Sequence, residues 1–313
     1  MSGEAAQVEY FGKALVELGA KHSDLVVLDA DVSASTKTAY FEERFPKRFI
    51  QTGISEQDMI GIASGLALSG KTPVAAAFAI FLVGRGWEQI LNSIARQRLN
   101  VKIVGTHSGL SPSADGASHQ ALGDVALMRV IPNMTIVVPA DAPQTAMAIT
   151  DLVESYGPAY LRLRRGSTPT VYSDDLDYNL GEAITLRDGS DVSIICNGTM
   201  VHMALQAAEN LQKEGVDSQV IDMHTVKPLD QDAVINAARK TGAVVTAEEH
   251  NILGGLGGAV AECLSESKPT PLMRVGVADR YGASSRSYSE LLDAMGLTPE
   301  AIRKAVHTVI GRK

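Results

Sequence analysis

Only two cysteines occur in the 313 residues, Cys196 and Cys263, far apart in sequence. That scarcity excludes a disulfide framework and a cysteine zinc site, suits a reducing compartment, and leaves both residues to be read as packed core thiols. Long hydrophobic runs are missing as well. The longest, Val74 to Val83, is too short to span a bilayer, and Met1 to Tyr10 carries no basic-then-apolar targeting pattern. Positive charge is in deficit, with a formal net charge of -8. This argues against a nucleic-acid backbone or an anionic membrane as main partner, although a local basic pocket can still hold a small phosphate. A cytoplasmic, soluble protein with no nucleic acid and no membrane is expected. No solenoid-period repeat or low-complexity tract is present.

What remains is ordinary globular composition, 45% hydrophobic and 20% charged, at a length that suggests two domains. Short β-branched runs alternate with amphipathic stretches and with Gly or Pro punctuation almost from end to end. The fold class expected is therefore α/β, with two domains, each a largely parallel sheet flanked by helices. Strands are read at Leu25 to Leu28, Val74 to Phe78, Val101 to Gly105, Thr135 to Val138 and Ala159 to Leu163. A polar lapse rich in Thr-Pro and Asp-Asp divides the chain into a first domain at 1–170, a linker at 171–189 and a second domain at 190–313. In the second domain, strands at Asp191 to Cys196, Gln219 to Asp222 and Ala243 to Ala247 alternate with helices at Met200 to Lys213 and Asp230 to Arg239.

The clearest helix follows Ser55. Ser55 with Asp58 resembles a capping box, Met59, Ile62, Ala63, Leu66 and Ala67 form one apolar stripe, and Gly70 ends it. Glu56 then lies in the first turn. Such a glutamate is ordinarily a surface residue interacting with the helix dipole. Gly53, Ile54, Met59 and Ile60 around it suggest instead an apolar wall, and a desolvated glutamate has a raised pKa suited to proton sharing with a ring nitrogen. Phe78 and Phe81 leave the sheet at the end of a strand, where open α/β sheets bind ligands. They read equally as core residues or as a slot for a flat heteroaromatic ring.

The segment from His107 to Gln120 is long and irregular and starts just past a strand, which is uncommon unless functional. Its two histidines and Asp115 fit no zinc spacing, so no metal is assigned here. Hydrogen bonds to a polyol, and proton transfer to its hydroxyls, are the better reading. Gly254-Gly255-Leu256-Gly257-Gly258 follows a strand and opens a helix, but Val260 stands where the dinucleotide motif needs Gly or Ala. It reads as a tight turn allowing close packing or as an anion-tolerant helix start.

At these residues the chain resembles the C-terminal half of the transketolase family, in particular the second subunit of split transketolases. It is more distantly similar to deoxyxylulose-phosphate synthase. The resemblance runs over nearly the whole chain and is carried by Gly-Ile-Ser-Glu-Gln at 53–57, Phe-Leu-Val-Gly-Arg-Gly-Trp-Glu-Gln at 81–89, Asp-Gly-Ala-Ser-His-Gln at 115–120 and Arg-Val-Ile-Pro-Asn at 129–133. It implies a pyrimidine-binding domain and a transketolase C-terminal domain, without the domain that binds the diphosphate and magnesium of thiamine diphosphate. Asp188-Gly189 followed by Asn210 is only loosely similar to that domain's magnesium pattern, since position 187 is Arg. A separate N-terminal subunit carrying the diphosphate and Mg2+ site is the implied partner, in an α2β2 heterotetramer that shares the cofactor.

By the resemblance, Glu56 would hydrogen-bond the pyrimidine and activate it, Phe78 and Phe81 would stack on its ring, and Asp31 would lie near the cofactor. Asp115 and His119 would hold the substrate hydroxyls near the reacting carbon, and Ser35, His107 and Arg165 would contact a substrate phosphate. Arg162 and Arg164 compete with Arg165 for that registration. The reaction implied moves a two-carbon ketol unit from a ketose to an aldose, with the cofactor as electron sink. Two departures concern the acceptor: Glu4 to Lys13 offers no match to the family's phosphate-contacting arginine, and Gly84 and Arg85 replace the usual tyrosine. The alternatives are the β subunit of a 2-oxoacid dehydrogenase and a non-catalytic regulatory subunit of the same fold. The Asp-Gly-Ala-Ser-His-Gln loop favours the transketolase side.

Overall fold

The β-branched runs of the first half assemble into a seven-stranded sheet in a computed structural model that describes residues 3–313. Its strand order is β12 (Thr225–Lys227), β6 (Thr135–Val137), β7 (Ala159–Arg162), β5 (Lys102–Thr106), β4 (Thr72–Phe78), β2 (Leu25–Asp29) and β3 (Phe49–Gln51). Every neighbouring pair is parallel except β12 with β6. Parallel pairs require crossover segments, and the helices supply them on both faces. Alternation along β4 shows the layering: Val74 and Ala76 pack on the side of Phe11, Leu15 and Ile149, while Ala75 and Ala77 pack on the side of Met59, Leu82 and Ile90. A strand buried on both faces needs the continuous apolar run that the sequence shows.

The second sheet runs β14 (Leu272–Val277), β13 (Val244–Asn251), β10 (Val192–Cys196), β11 (Ser218–Asp222) and β9 (Ile184–Arg187), parallel except for β9 with β11. Strand β9 falls inside the stretch expected to be linker, because four residues between polar flanks carry too little pattern to read. Strand β12 lies late in sequence yet extends the first sheet, and β1 (Glu4–Ala6) pairs antiparallel with β8 (Ser167–Pro169). Both cysteines are free and buried, as expected. No helix among the described residues is long and apolar enough to cross a membrane.

Two local expectations need correction. Ser55 occupies the N-cap of helix Glu56–Leu68, but its hydroxyl donates back to the Thr52 carbonyl at 2.7 Å, so no capping box forms. The turn that begins at Thr52 uses up the hydroxyl before the helix starts. The buried stripe of that helix is also rotated, running through Glu56, Met59, Ile60, Ala63 and Ser64, with Ile62 and Leu66 only partly covered. A stripe sought among apolar residues alone passes over a carboxylate that belongs to it. Beyond β13, the carboxylate of Glu248 accepts the N–H groups of Leu256 and Gly257 at 2.8 and 2.9 Å. The anion held at the start of helix Leu256–Ser267 is thus the chain's own.

Candidate active site

The residues singled out in the first domain lie at or just beyond the carboxyl ends of parallel strands. Asp31 and Ser35 follow β2, Phe78 closes β4, His107 follows β5, and Arg165 comes three residues after β7. The long segment after β5 then carries Asp115 and His119 back across that edge. A cleft of about 590 Å³ brings Ser35, Phe78, His107, Asp115, His119 and Arg165 together, with Lys37 and Glu9 on its rim. This is the edge at which open α/β sheets bind ligands.

The aromatic residues connect this cleft to Glu56. Phe78 stacks on His107 at 4.1 Å, Phe81 lies 6.3 Å from Phe78, and Phe81 meets the His119 ring edge-on at 5.1 Å. The Arg85 guanidinium lies 4.4 Å from the Phe81 ring centre and donates through Nη1 to both Glu56 oxygens, at 2.9 and 2.8 Å. Both phenylalanines are half-buried: each packs on the fold and keeps ring surface exposed.

Glu56 is 4% exposed, whereas Ile54 beside it is 73% exposed. The apolar wall expected around the carboxylate is therefore incomplete. Ile54 lies in the turn before the helix and turns to solvent, and Arg85 covers the opening. Arg85 stands both in the 81–89 motif and in place of the family's usual tyrosine, and neither feature predicts a contact with Glu56. The pair joins two helices 29 residues apart, a separation at which no periodic signal exists.

Burial separates the three arginines. Arg162 is buried and donates through Nε to Asp124 at 2.8 Å. Arg164 is buried over the Tyr288 ring and donates to the Ser167 carbonyl. Only Arg165 reaches the cleft, half exposed, where it pairs with Asp115 at 2.9 Å. Asp31 does not line the cleft. It sits at a left-handed φ of 63°, and Gln51 Oε1 accepts its N–H at 2.6 Å and that of Gly53 at 3.3 Å. Gln51 thereby ties Asp31 to the turn ahead of Glu56. His107, Asp115 and His119 do not converge as metal ligands, and among the described residues no group of three or more His, Cys, Asp or Glu side chains is placed to hold an ion.

His107 is buried at a φ of 53°, with its Nδ1 3.1 Å from the Thr106 hydroxyl. Burial, reinforced by the charge of Arg165, pushes its imidazole down to about 4. It is consequently neutral at pH 7 and can both donate and accept in a polar ligand's hydrogen-bond network. A proton-detected titration of the intact chain is expected to place His107 near pH 4. A titration near 6.5 would show that the ring is solvated and does not back the cleft. Because this folded value is depressed for a base, His107 costs stability at low pH, and that cost is relieved as pH rises from about 4 to 6.5.

Comparison with known proteins bears on this geometry. The family model for the transketolase pyrimidine binding domain matches residues 4–170, and that for the transketolase C-terminal domain matches residues 181–302. Over 299 residues the chain is 44% identical to a protein named as a transketolase C-terminal section in Methanocaldococcus jannaschii, covering 95% of this chain and 93% of that one. It is 42% identical to a 6-deoxy-6-sulfo-D-fructose transketolase subunit of a Clostridium species, covering 96% and 92% of the two chains. Among solved structures, it superposes on a split-gene transketolase described as an inactive β4 tetramer, with a TM-score of 0.91, 47% identity and 99% of each chain covered.

Proposed function

This chain belongs to the transketolase family, and from that premise we propose that it is the pyrimidine-binding and C-terminal subunit of a thiamine-diphosphate-dependent ketol transferase. The observation that carries the reading is the buried carboxylate of Glu56, joined through Arg85 to the Phe81 ring, which meets His119 at the cleft that also holds Asp115 and Arg165. Relatives named as a section and as a subunit of transketolases support a partner chain that brings the diphosphate site and its Mg2+. An α2β2 heterotetramer, with the cofactor shared between the two kinds of chain, is the assembly we infer.

The residues present fit the aminopyrimidine end of the cofactor. Among the described residues Glu56 has one side-chain partner, Arg85, which is half exposed. Arg85 donates to both oxygens, and each oxygen keeps a further lone-pair site at which a ring N–H can donate. Phe78 and Phe81 offer the flat apolar faces that an aromatic ring requires. When bound, thiamine diphosphate supplies the electron sink for breaking and re-forming a carbon–carbon bond beside a carbonyl.

The remaining roles fall to the cleft. Asp115 and His119, which line the cleft together, accept and donate at sugar hydroxyls, His119 moving a proton at the hydroxyl oxygen of the transferred unit. Arg165 meets a terminal anion with its guanidinium fork, backed by neutral His107 and the Ser35 hydroxyl. Lys37 lines the same cleft, held 3.1 Å from Glu9, and supplies a second cation there. It is a candidate for the anion contact that Glu4 to Lys13 does not offer. The anion is a phosphate or another acid group on a sugar.

Two measurements test the reading. The isolated chain is expected to bind thiamine diphosphate weakly in calorimetry, since the diphosphate carries most of the ligand's charge. A mixture with the partner is expected to bind it tightly and to transfer a ketol unit from a panel of ketose phosphates. Tight, magnesium-dependent binding by the isolated chain would remove the need for a partner, and acyl transfer to a lipoyl group would assign the chain to the 2-oxoacid dehydrogenases.

A further inference from the structure

The loop that carries Asp115 and His119 belongs to the first domain by sequence, yet the second domain holds it at both ends. At its start, the Leu110 N–H donates to Glu249 Oε1 at 2.7 Å, and the Leu110 side chain, fully buried, is part of the second domain's hydrophobic core. Gly109 there has a φ of +61°, and a Cβ on it would lie 2.4 Å from Glu249 Oε1, so the backbone presses directly on the carboxylate. At the tip, Gln120 donates to the Ala283 carbonyl at 2.9 Å, and the Ser285 N–H donates to the Ser113 carbonyl at 2.8 Å. Gly116, at a φ of +80°, would place a Cβ 2.4 Å from Ser284 Oγ.

Glu249 is itself held firmly. Tyr288 donates to its other carboxylate oxygen at 2.6 Å, and Arg162 donates to its backbone carbonyl at 3.0 Å. It stands near the end of β13 and is 4% exposed. A buried carboxylate fixed on one side by a tyrosine and accepting a loop amide on the other is a rigid stop. Reacting groups lose rate steeply when they are displaced by about 1 Å.

We propose that the second domain works as a clamp on the substrate loop, with Glu249 as the positioning residue that sets Asp115 and His119 at the cleft. The inference rests on the ketol-transfer reading for its catalytic consequence, and on the hydrogen bonds above for its structural one.

The test compares Glu249→Ala, Glu249→Gln and Gln120→Ala in the full chain. Amide hydrogen exchange of the chain alone should quicken about 10- to 100-fold across residues 108–120 in Glu249→Ala, while helix Glu56–Leu68 keeps its parental protection. In the complex with the partner, using xylulose 5-phosphate as donor probe, kcat should fall about 10- to 100-fold with the thiamine diphosphate affinity unchanged. Glu249→Gln should stay within about threefold of parent in both readouts, since its amide oxygen still accepts from Leu110 and its amide nitrogen can donate to the Tyr288 hydroxyl.

Loop exchange and kcat both within about twofold of parent in Glu249→Ala would overturn the clamp while leaving ketol transfer standing. Absence of ketol transfer in the parental complex would overturn the function but not a localised exchange response. Should Glu249→Ala lose protection throughout both domains, Gln120→Ala decides: faster exchange confined to the loop supports the clamp, and parental exchange there overturns it.

Discussion

Replacing Glu56 by Gln is expected to lower the kcat of the two-chain enzyme by about 10²- to 10⁴-fold, the range lost when a positioned acid–base group is removed. The substitution keeps shape and burial, so the chain should fold and the helix Glu56–Leu68 should stay in place. Unlike the carboxylate, an amide cannot share a proton with a ring nitrogen. It also turns an N–H toward Arg85, which has no lone pair to receive it, so the bidentate pair breaks.

The second effect has to be separated from the first, and Arg85→Ala separates them. That pair is half exposed on the arginine side, and exposed ion pairs contribute about 0–1 kcal/mol, so losing it alone should change kcat less than about tenfold. Steady-state rates of the three complexes at saturating cofactor check both statements. A Glu56→Gln complex as fast as the parent would turn the reading toward a subunit that kept the fold and lost the chemistry.

The sequence and the structure agree most where periodicity is strong. Strands such as Val74 to Phe78, and the helix Met200 to Lys213, appear where their patterns put them, because a continuous apolar run or a 3.6-residue stripe reflects the two-sided burial that forms the element. Some short strands escape, since Phe49–Gln51, Thr225–Lys227 and Ile184–Arg187 are fixed by their neighbours in the sheet rather than by their own pattern. The site is legible in a similar way. Single residues on strand ends were readable, whereas the ion pairs that couple them join distant segments.

Glu249 illustrates a signal that was present and unread. Glu248, Glu249 and His250 lie near the end of a strand and are buried with the mostly apolar Val244 to Ala247, and three titratable groups in such a place need partners. Arg162 carries a similar message within β7. Charged residues inside a buried strand pattern are worth tracing before those in loops.

The largest stability effect is expected at the partner of Arg162. Asp124 is 3% exposed and accepts from Arg162 Nε at 2.8 Å and from the Tyr160 hydroxyl at 2.7 Å, with His250 4.0 Å away. Removing one member of a buried pair leaves the other charge uncompensated, and Asp124→Ala should therefore cost about 3–5 kcal/mol. Equilibrium urea unfolding should show this as a lower midpoint with an unchanged slope. Asp124→Asn should fall between, because its amide oxygen still accepts from Tyr160 while the charge is gone.

The pH dependence gives an independent check. Burial acts to raise the Asp124 carboxyl, but the charges of Arg162 and His250, with the Arg162 and Tyr160 hydrogen bonds, hold it below its ordinary value of 3.8. For an acid depressed on folding, the stabilisation is present above about 3.8 and is lost as pH falls through the lower folded value. The parent should therefore lose stability in acid along an arm that Asp124→Ala lacks. A variant that unfolds within about 1 kcal/mol of the parent at pH 7 would mean that water or another group compensates Arg162. Because Arg162 also donates to the carbonyls of Ala121 and Glu249, at 3.0 Å each, the same substitution should loosen the substrate loop from its far side. Stability and site geometry are thus coupled through one buried guanidinium.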